Sequence, residues 1–410
     1  MTDHPTPPSL PHAVRSTPWH TDTALAHLGR TSATAALSVN PPLVRASTTV
    51  FPTLAEFKDS YRGTVFEAPR YGRSGTSTQF ELQAAMAQLC GAQSCIALPS
   101  GLAAIAAVLG AHARPGGQIL VQEGVYGPAQ VLCDQVLAPL QCRIDYFDSV
   151  DSLRELWTDQ ACLVFIEVPS SLTMRMLDAA AVSEFAASRG VPVACDSTWG
   201  TPLFFDAHAL GIALSIHAAT KYINGHSDVV LGLVTGSYEA LASTRAWCDR
   251  QGSHVSADAC ALVLRGMRTL GLRMPRHHAS ALAVAAWLQA QPQIERVLFP
   301  ALPSDPGHAL WRRQFSGAPG PFTVELAPCS EAAFEAFINA LQLFGLGTSW
   351  GGFESLVMPA IAHHLRALPV QPDAGRLVRL HIGLEAPGDL CDDLAAALAH
   401  IGHGAGPSSP

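Results

Sequence analysis

Lysine is almost missing from this chain of 410 residues: Lys58 and Lys221 are the only two among 25 Lys and Arg. No block of basic residues occurs, and the formal net charge is -8. Nucleic acid is therefore not an expected partner, because binding a phosphate backbone needs a basic footprint. Long apolar runs are missing too: no stretch reaches the roughly 18 residues that a membrane span needs. The N-terminus carries several prolines and no basic region leading into an apolar one, so a cytoplasmic protein without signal peptide or membrane partner is expected. Residues 1–19 and the Gly/Pro/Ser tail 402–410 are expected to be frayed.

No C-x-x-C occurs among the ten cysteines, and the nearest pair is Cys90 and Cys95. They read as buried thiols in a reducing compartment, without a disulfide framework. No metal is expected either. His217, His226, His277 and His278 show no H-E-x-x-H spacing, and adjacent His277 and His278 cannot face the same way on a helix. His226 with Asp228 is expected to steady the loop after Lys221.

What the chain does have is apolar mass, with 48% hydrophobic residues against 14% charged. That is more than one core usually holds, and it suggests two domains with some surface hidden against another subunit. The middle of the chain alternates short apolar runs with helix-sized segments. Strands are predicted over Cys95–Leu98, Ile119–Gln122, Arg143–Phe147, Leu163–Glu167, Val191–Cys195 and Val229–Val234. Helices are predicted over 79–90, from Ser100 to about His112, and over 178–189, with Ser100 and Asp178 as N-caps. This rhythm predicts an α/β fold with a mostly parallel sheet covered by helices on both faces. Beyond residue 265 the alternation is lost. Helices over Ala279–Leu288, Phe334–Phe344 and Asp389–His400, with strands over Phe322–Leu326 and Leu377–Ile382, predict a smaller α+β domain.

Asp196 follows the apolar run from Val191, and Lys221 stands 25 residues later. Ligands of open α/β sheets sit beyond the carboxyl ends of the strands, where Asp196 is predicted. A carboxylate there can pair with a protonated ring nitrogen, and a nearby lysine amine can form an imine with an aldehyde. Ser100-Gly101-Leu102 opens a helix and offers free N–H groups to an anion, with the Thr220 hydroxyl beside Lys221. On spacing alone, a surface lysine, a capping aspartate and an ordinary helix cap account for the same residues.

Five segments in order carry a resemblance: Tyr71-Gly-Arg-Ser-Gly-Thr, Pro99-Ser-Gly-Leu-Ala-Ala-Ile, Asp196-Ser-Thr-Trp, Ala218-Ala-Thr-Lys-Tyr-Ile-Asn-Gly-His-Ser-Asp and Ser349-Trp-Gly-Gly-Phe-Glu-Ser-Leu. The chain resembles the Cys/Met-metabolism family of pyridoxal-phosphate enzymes, of aminotransferase fold type I, and within it most the bacterial cystathionine β-lyases. The resemblance runs from Asp22 to Ile401. It implies an N-terminal intersubunit arm over 1–70, a pyridoxal-phosphate-binding domain over 71–265, a C-terminal α+β domain over 266–401 and a tail over 402–410. It makes Lys221 the Schiff-base lysine and Asp196 the partner of the pyridine nitrogen. Gly101, Leu102 and Thr220 would hold the phosphate, and Tyr126 would stack on the ring. Tyr71 and Arg73 match residues that reach the phosphate of a neighbouring subunit, which implies a homotetramer made of two catalytic dimers. Arg379 matches the clamp on the substrate carboxylate, a role suited to a guanidinium fork, with Tyr71, Ser349 and Trp350 also facing substrate.

The implied reaction is β-elimination from cystathionine, giving homocysteine, pyruvate and ammonia within methionine biosynthesis, with Lys221 carrying the Cα proton and Tyr126 assisting the leaving thiol. Cysteine, cystine or another S-substituted cysteine are alternative substrates, and γ-lyases or γ-synthases share the scaffold. Trp199, Trp350, Ser171 and the unbroken Tyr71-Gly-Arg agree with the β-lyases. Pro128 stands where methionine γ-lyases carry a reactive cysteine. Val168 agrees with neither branch, and Thr348 replaces the tyrosine of the nearest β-lyases, which implies a more open pocket. A catalytically silent scaffold would be expected to lose Lys221 or Asp196, and neither is lost.

Overall fold

The computed structural model describes residues 20–29, 39–62, 67–360 and 377–401. The expectations for residues 1–19 and 402–410 lie outside them. Seven strands form the larger sheet: β1 (Ser94–Leu98), β2 (Gln118–Gln122), β3 (Arg143–Phe147), β4 (Ala161–Glu167), β5 (Val193–Asp196), β6 (Leu214–Ala218) and β7 (Gly232–Gly236). Their order is β1-β7-β6-β5-β4-β2-β3. Only β7 runs against its neighbours, so the sheet is mostly parallel, as expected. Central strands with both faces covered carry few charges, and β2, β5 and β7 are buried along their whole length.

A smaller sheet follows, of β8 (Ile294–Leu298), β9 (Pro321–Leu326), β10 (Gly345–Leu346), β11 (Leu356–Pro359) and β12 (Leu377–His381), in the order β10-β11-β12-β9-β8. The helix Leu270–Gln289 lies between the two sheets in sequence and packs against β8 and the closing helix Pro387–Leu398. One core cluster runs through both units, joining Val164, Ile166 and Cys195 of the large sheet to Phe322, Val324 and Leu380 of the small one. Cys195 is fully buried there, and Val168 with it. All ten cysteines are free thiols. Among the described residues no helix is long and apolar enough to cross a membrane, and no group of three or more His, Cys, Asp or Glu is arranged to hold a metal ion.

Local chemistry explains where the elements depart from their sequence patterns. β5 begins at Val193, two residues later than expected, after Pro192, which has no N–H for a ladder; its carbonyl instead accepts from Val164. β7 begins at Gly232 rather than Val229 because Leu231 is tied elsewhere. Its N–H donates to the Thr220 hydroxyl at 3.0 Å and its carbonyl accepts from the Thr220 N–H at 3.2 Å. β6 escaped the apolar pattern altogether, since Ser215 and His217 interrupt Leu-Ser-Ile-His-Ala. Both are buried and hydrogen-bonded to each other at 3.0 Å, so they behave as core residues. The helix expected over Phe334–Phe344 spans Glu331–Ala340, capped by Ser330, and it ends where Asp393 takes the N–H groups of Gln342 and Leu343. The helix expected from Ala279 already begins at Leu270, with Pro275 accommodated in its interior.

Candidate active site

The carboxyl ends of β4, β5 and β6 open on a cavity of about 220 Å³. Lys221, Asp196, Gly101, Leu102, Tyr126, Thr220, Trp350 and Arg379 all line it, with Trp199 and Thr348. The fold therefore gathers eight of the residues that the sequence singled out from six separate stretches of chain.

Lys221 stands in the turn that leaves β6, where its N–H donates to the Ala218 carbonyl and its own carbonyl accepts from Gly225. Its Nζ donates to the Ser349 hydroxyl at 2.8 Å and lies 5.3 Å from the centre of the Trp350 ring. Burial, aided by the Arg379 guanidinium and opposed by Asp196, pushes the amine down to about 8 from the ordinary 10.5. A substantial neutral fraction near neutral pH is what a nucleophilic or basic amine needs.

Asp196 ends β5 and is almost fully buried. Thr198 serves its Oδ1 twice, through its N–H at 3.0 Å and through its hydroxyl, while the same hydroxyl accepts from Ala218 N–H at 2.8 Å. These bonds fix the carboxyl rotamer and tie it to the root of the Lys221 turn. Directly across the ladder from Asp196 stands Glu167. Its Oε2 accepts from the Tyr126 N–H at 2.6 Å and so anchors the turn that carries the tyrosine ring. Burial first and the neighbouring Asp196 second push Glu167 well above the usual carboxylate range. Burial also raises the Tyr126 phenol.

Ser100 caps the helix Gly101–His112 by accepting from Ala103 N–H at 3.0 Å, while Ala104 N–H is satisfied by the Ser100 carbonyl. The first two donors, on Gly101 and Leu102, are left for a ligand at the positive end of the helix. A Cβ on Gly101 would stand 2.6 Å from that of Ala218, so only glycine lets the helix start this close to β6. The Thr220 hydroxyl is engaged with the Leu231 backbone, which couples it to the lysine loop.

Arg379 rises from the middle of β12 and donates from Nη2 to the carbonyls of Thr348, at 2.7 Å, and Ser349, at 3.3 Å. Burial lowers its guanidinium to about 10, still charged at neutral pH. Trp199 lines the same cavity with its indole Nε1 held by the Pro321 carbonyl at 3.1 Å.

Three expected residues do not line the cavity of their own chain: Tyr71, Arg73 and Ser349, the last of which meets it only through its bond to Lys221 Nζ. Tyr71 is exposed, and Arg73 forms an ion pair with Asp249 at 3.0 Å. The loop after Lys221 is steadied differently from the expected His226–Asp228 pairing. Asn224 is its hub, donating to Asp228 at 2.8 Å, while His226 Nδ1 lies 2.7 Å from the Asn224 carbonyl. Glu167, Thr198 and His381 had no role assigned from sequence. Glu167 was detectable in principle, as a charged residue ending an apolar run beside another one.

The set suits pyridoxal 5'-phosphate: an amine for the aldehyde, a buried carboxyl for the ring nitrogen, free helix N–H groups for the phosphate, an aromatic ring, and a glycine where a Cβ would narrow the cradle. The chain matches the family described as Cys/Met metabolism PLP-dependent enzyme over residues 22–399. It is 42% identical to the cystathionine beta-lyase of Bordetella avium over 92% of this chain and 97% of that protein. It is 37% identical to cystathionine beta-lyase MetC of Escherichia coli, over 93% and 98%. The crystal structure of metB from Corynebacterium glutamicum superposes with a TM-score of 0.85 at 29% identity, covering 93% of this chain and 98% of that one. On family match, identity and fold together, this chain belongs to the Cys/Met-metabolism PLP-dependent enzymes, of fold type I.

Proposed function

We propose that this protein is a carbon–sulfur β-lyase that converts L-cystathionine and water to homocysteine, pyruvate and ammonia. The observation that carries the reading is the Lys221–Ser349 contact, because the same short segment is held by Arg379. An amine able to move a proton and a cation able to clamp a carboxylate are thus fixed relative to each other, as an α-amino acid substrate requires. The cystathionine β-lyase names of two similar proteins, and Trp199 and Trp350 at the cavity, support the choice of substrate and of β over γ chemistry.

Bound pyridoxal 5'-phosphate supplies the electron sink for charge left at the substrate Cα. Gly101 and Leu102 would hold its phosphate by their N–H groups, Asp196 its ring nitrogen, and Tyr126 its ring face. Lys221 would hold the cofactor's aldehyde, and its amine takes the Cα proton and delivers a proton to the departing sulfur with help from Tyr126. Arg379 binds the substrate carboxylate. Tyr71 and Arg73, outside the cavity of their own chain, would complete the phosphate site of a neighbouring copy in a homotetramer of two catalytic dimers. Thr348 lines the cavity with a short side chain, and this favours cystine or other S-substituted cysteines as a second substrate class.

Incubating the purified protein with cystathionine and identifying the carbon products tests the reading. Pyruvate with homocysteine is expected; 2-oxobutyrate with cysteine would overturn it.

A further inference from the structure

Arg379 and His381 lie two residues apart on β12, on one face of the strand, and together they hold both ends of the segment Thr348–Gly351. Arg379 takes the carbonyls of Thr348 and Ser349, and Gly351 donates its N–H to His381 Nε2 at 3.0 Å. Gly351 has φ +86°, and a Cβ there would stand 2.8 Å from the Tyr222 nitrogen and 2.9 Å from the Lys221 Cβ. The backbone that His381 grips therefore rests directly on the residue bearing the amine. From its other nitrogen, Nδ1, the same ring lies 3.4 Å from the Tyr222 hydroxyl, one residue beyond Lys221.

The imidazole is 1% exposed, and burial, reinforced by His277, holds it neutral. Nε2 also lies 3.3 Å from the Gly352 carbonyl, but the shorter contact with the Gly351 N–H makes it the acceptor and leaves the proton of the neutral ring to Nδ1, on the Tyr222 side. A merely space-filling residue at this buried place would be apolar, since a buried imidazole is costly unless its polar atoms are used.

We propose that His381 is a positioning residue: by gripping the Gly351 N–H it presses the Ser349–Gly351 backbone onto Lys221 and so sets where the amine stands between Ser349 and Trp350. This rests on reading Lys221 as the reacting amine, but it concerns the chain's own geometry and is testable without cofactor.

Two substitutions separate the arms of the ring. His381→Gln puts an acceptor near the place of Nε2, and His381→Asn puts one near Nδ1. Lys58 is exposed and is the only other lysine, so acetic anhydride labelling of cofactor-free protein, read by peptide mass spectrometry, gives Lys221 reactivity against an internal standard. The Lys221 to Lys58 ratio is expected to stay within about twofold of the unsubstituted protein in the Gln variant and to move by about fivefold or more in the Asn variant. In the reconstituted enzyme, kcat should fall about tenfold in the Asn variant, with KM moving less, and be rescued by Gln. Equal labelling ratios in the two variants would overturn the proposal. If the Asn variant does not fold, the Gln variant decides alone: an unchanged ratio upholds the grip, and a shift of about fivefold overturns it. A split in labelling without turnover of cystathionine would sink the substrate assignment and leave the positioning role upheld.

Discussion

Glu167 and Asp196 face each other across neighbouring parallel strands, so two carboxyl groups look into one cavity. Both are raised mainly by burial, and Glu167 is raised further by Asp196. Two adjacent buried carboxylates cannot both ionise cheaply; Thr198, through two bonds, and Lys221 favour the charge on Asp196, so Glu167 is the one that keeps its proton.

Glu167 thus binds a proton in the folded protein that the unfolded chain has released above its ordinary 4.5. Its contribution to stability is fully present below that value and is lost as pH rises through the higher folded value. Urea denaturation of cofactor-free Glu167→Gln should show a shallower loss of stability on the alkaline side of pH 4.5 than the unsubstituted protein. Identical pH profiles would mean that Glu167 is ionised in the fold.

Lys221 shifts the opposite way for a base. Its folded value of about 8 lies below the ordinary 10.5, so the unfolded chain holds more protons between them and the stability of the cofactor-free protein should rise with pH across that window. Lys221→Met should flatten this rise. In the loaded enzyme Lys221→Ala should cost roughly a thousandfold in kcat, the scale of a positioned proton carrier. Rates within tenfold of the unsubstituted enzyme, about 1.4 kcal/mol, would refute the role.

Arg379→Lys keeps the charge but loses the fork. It also leaves the carbonyls of Thr348 and Ser349 with a single ammonium to share. A charge-assisted pair is worth about 2 kcal/mol, so kcat/KM for cystathionine should fall roughly thirtyfold, mostly through KM. Steady-state kinetics with cystathionine check this, and an unchanged KM would remove Arg379 from the carboxylate site.

Gly101→Ala should weaken the cradle without unfolding the protein. The new Cβ meets the Ala218 Cβ at 2.6 Å and must push the helix start off β6, a strain of about 1–3 kcal/mol. Equilibrium dialysis should find pyridoxal 5'-phosphate bound at least about tenfold more weakly, with thermal unfolding of the cofactor-free protein lowered only by a few degrees.

Residues whose role follows from local chain chemistry were legible in the sequence. Ser100 and Asp178 cap helices as their types suggest, and Asp196 and Lys221 share the cavity at the strand ends where a sheet presents its ligands. What escaped depends on pairing across the fold. His217 was set aside as a metal ligand, but nothing local announces that Ser215 pairs with it inside the core. His381 looked like any strand residue, for Gly351 is 30 residues upstream and meets it only after β12 joins the small sheet. The ends of β5 and β7 were displaced by contacts between segments, the Val164–Pro192 bond and the Thr220–Leu231 pair, which no periodicity encodes.

β7 is the single reversed strand of the large sheet, and Ala218 at the end of β6 is paired with Gly232 at its start. The lysine-bearing stretch is consequently a hairpin loop with two roots side by side, not a crossover spanning the sheet. Its closure entropy is small, and its roots shift as one body with β5, which carries Asp196. The base of the amine's loop therefore keeps a fixed spacing from the carboxyl, and β12 acts on the amine only at its tip, through the Ser349–Gly351 segment that Arg379 and His381 hold.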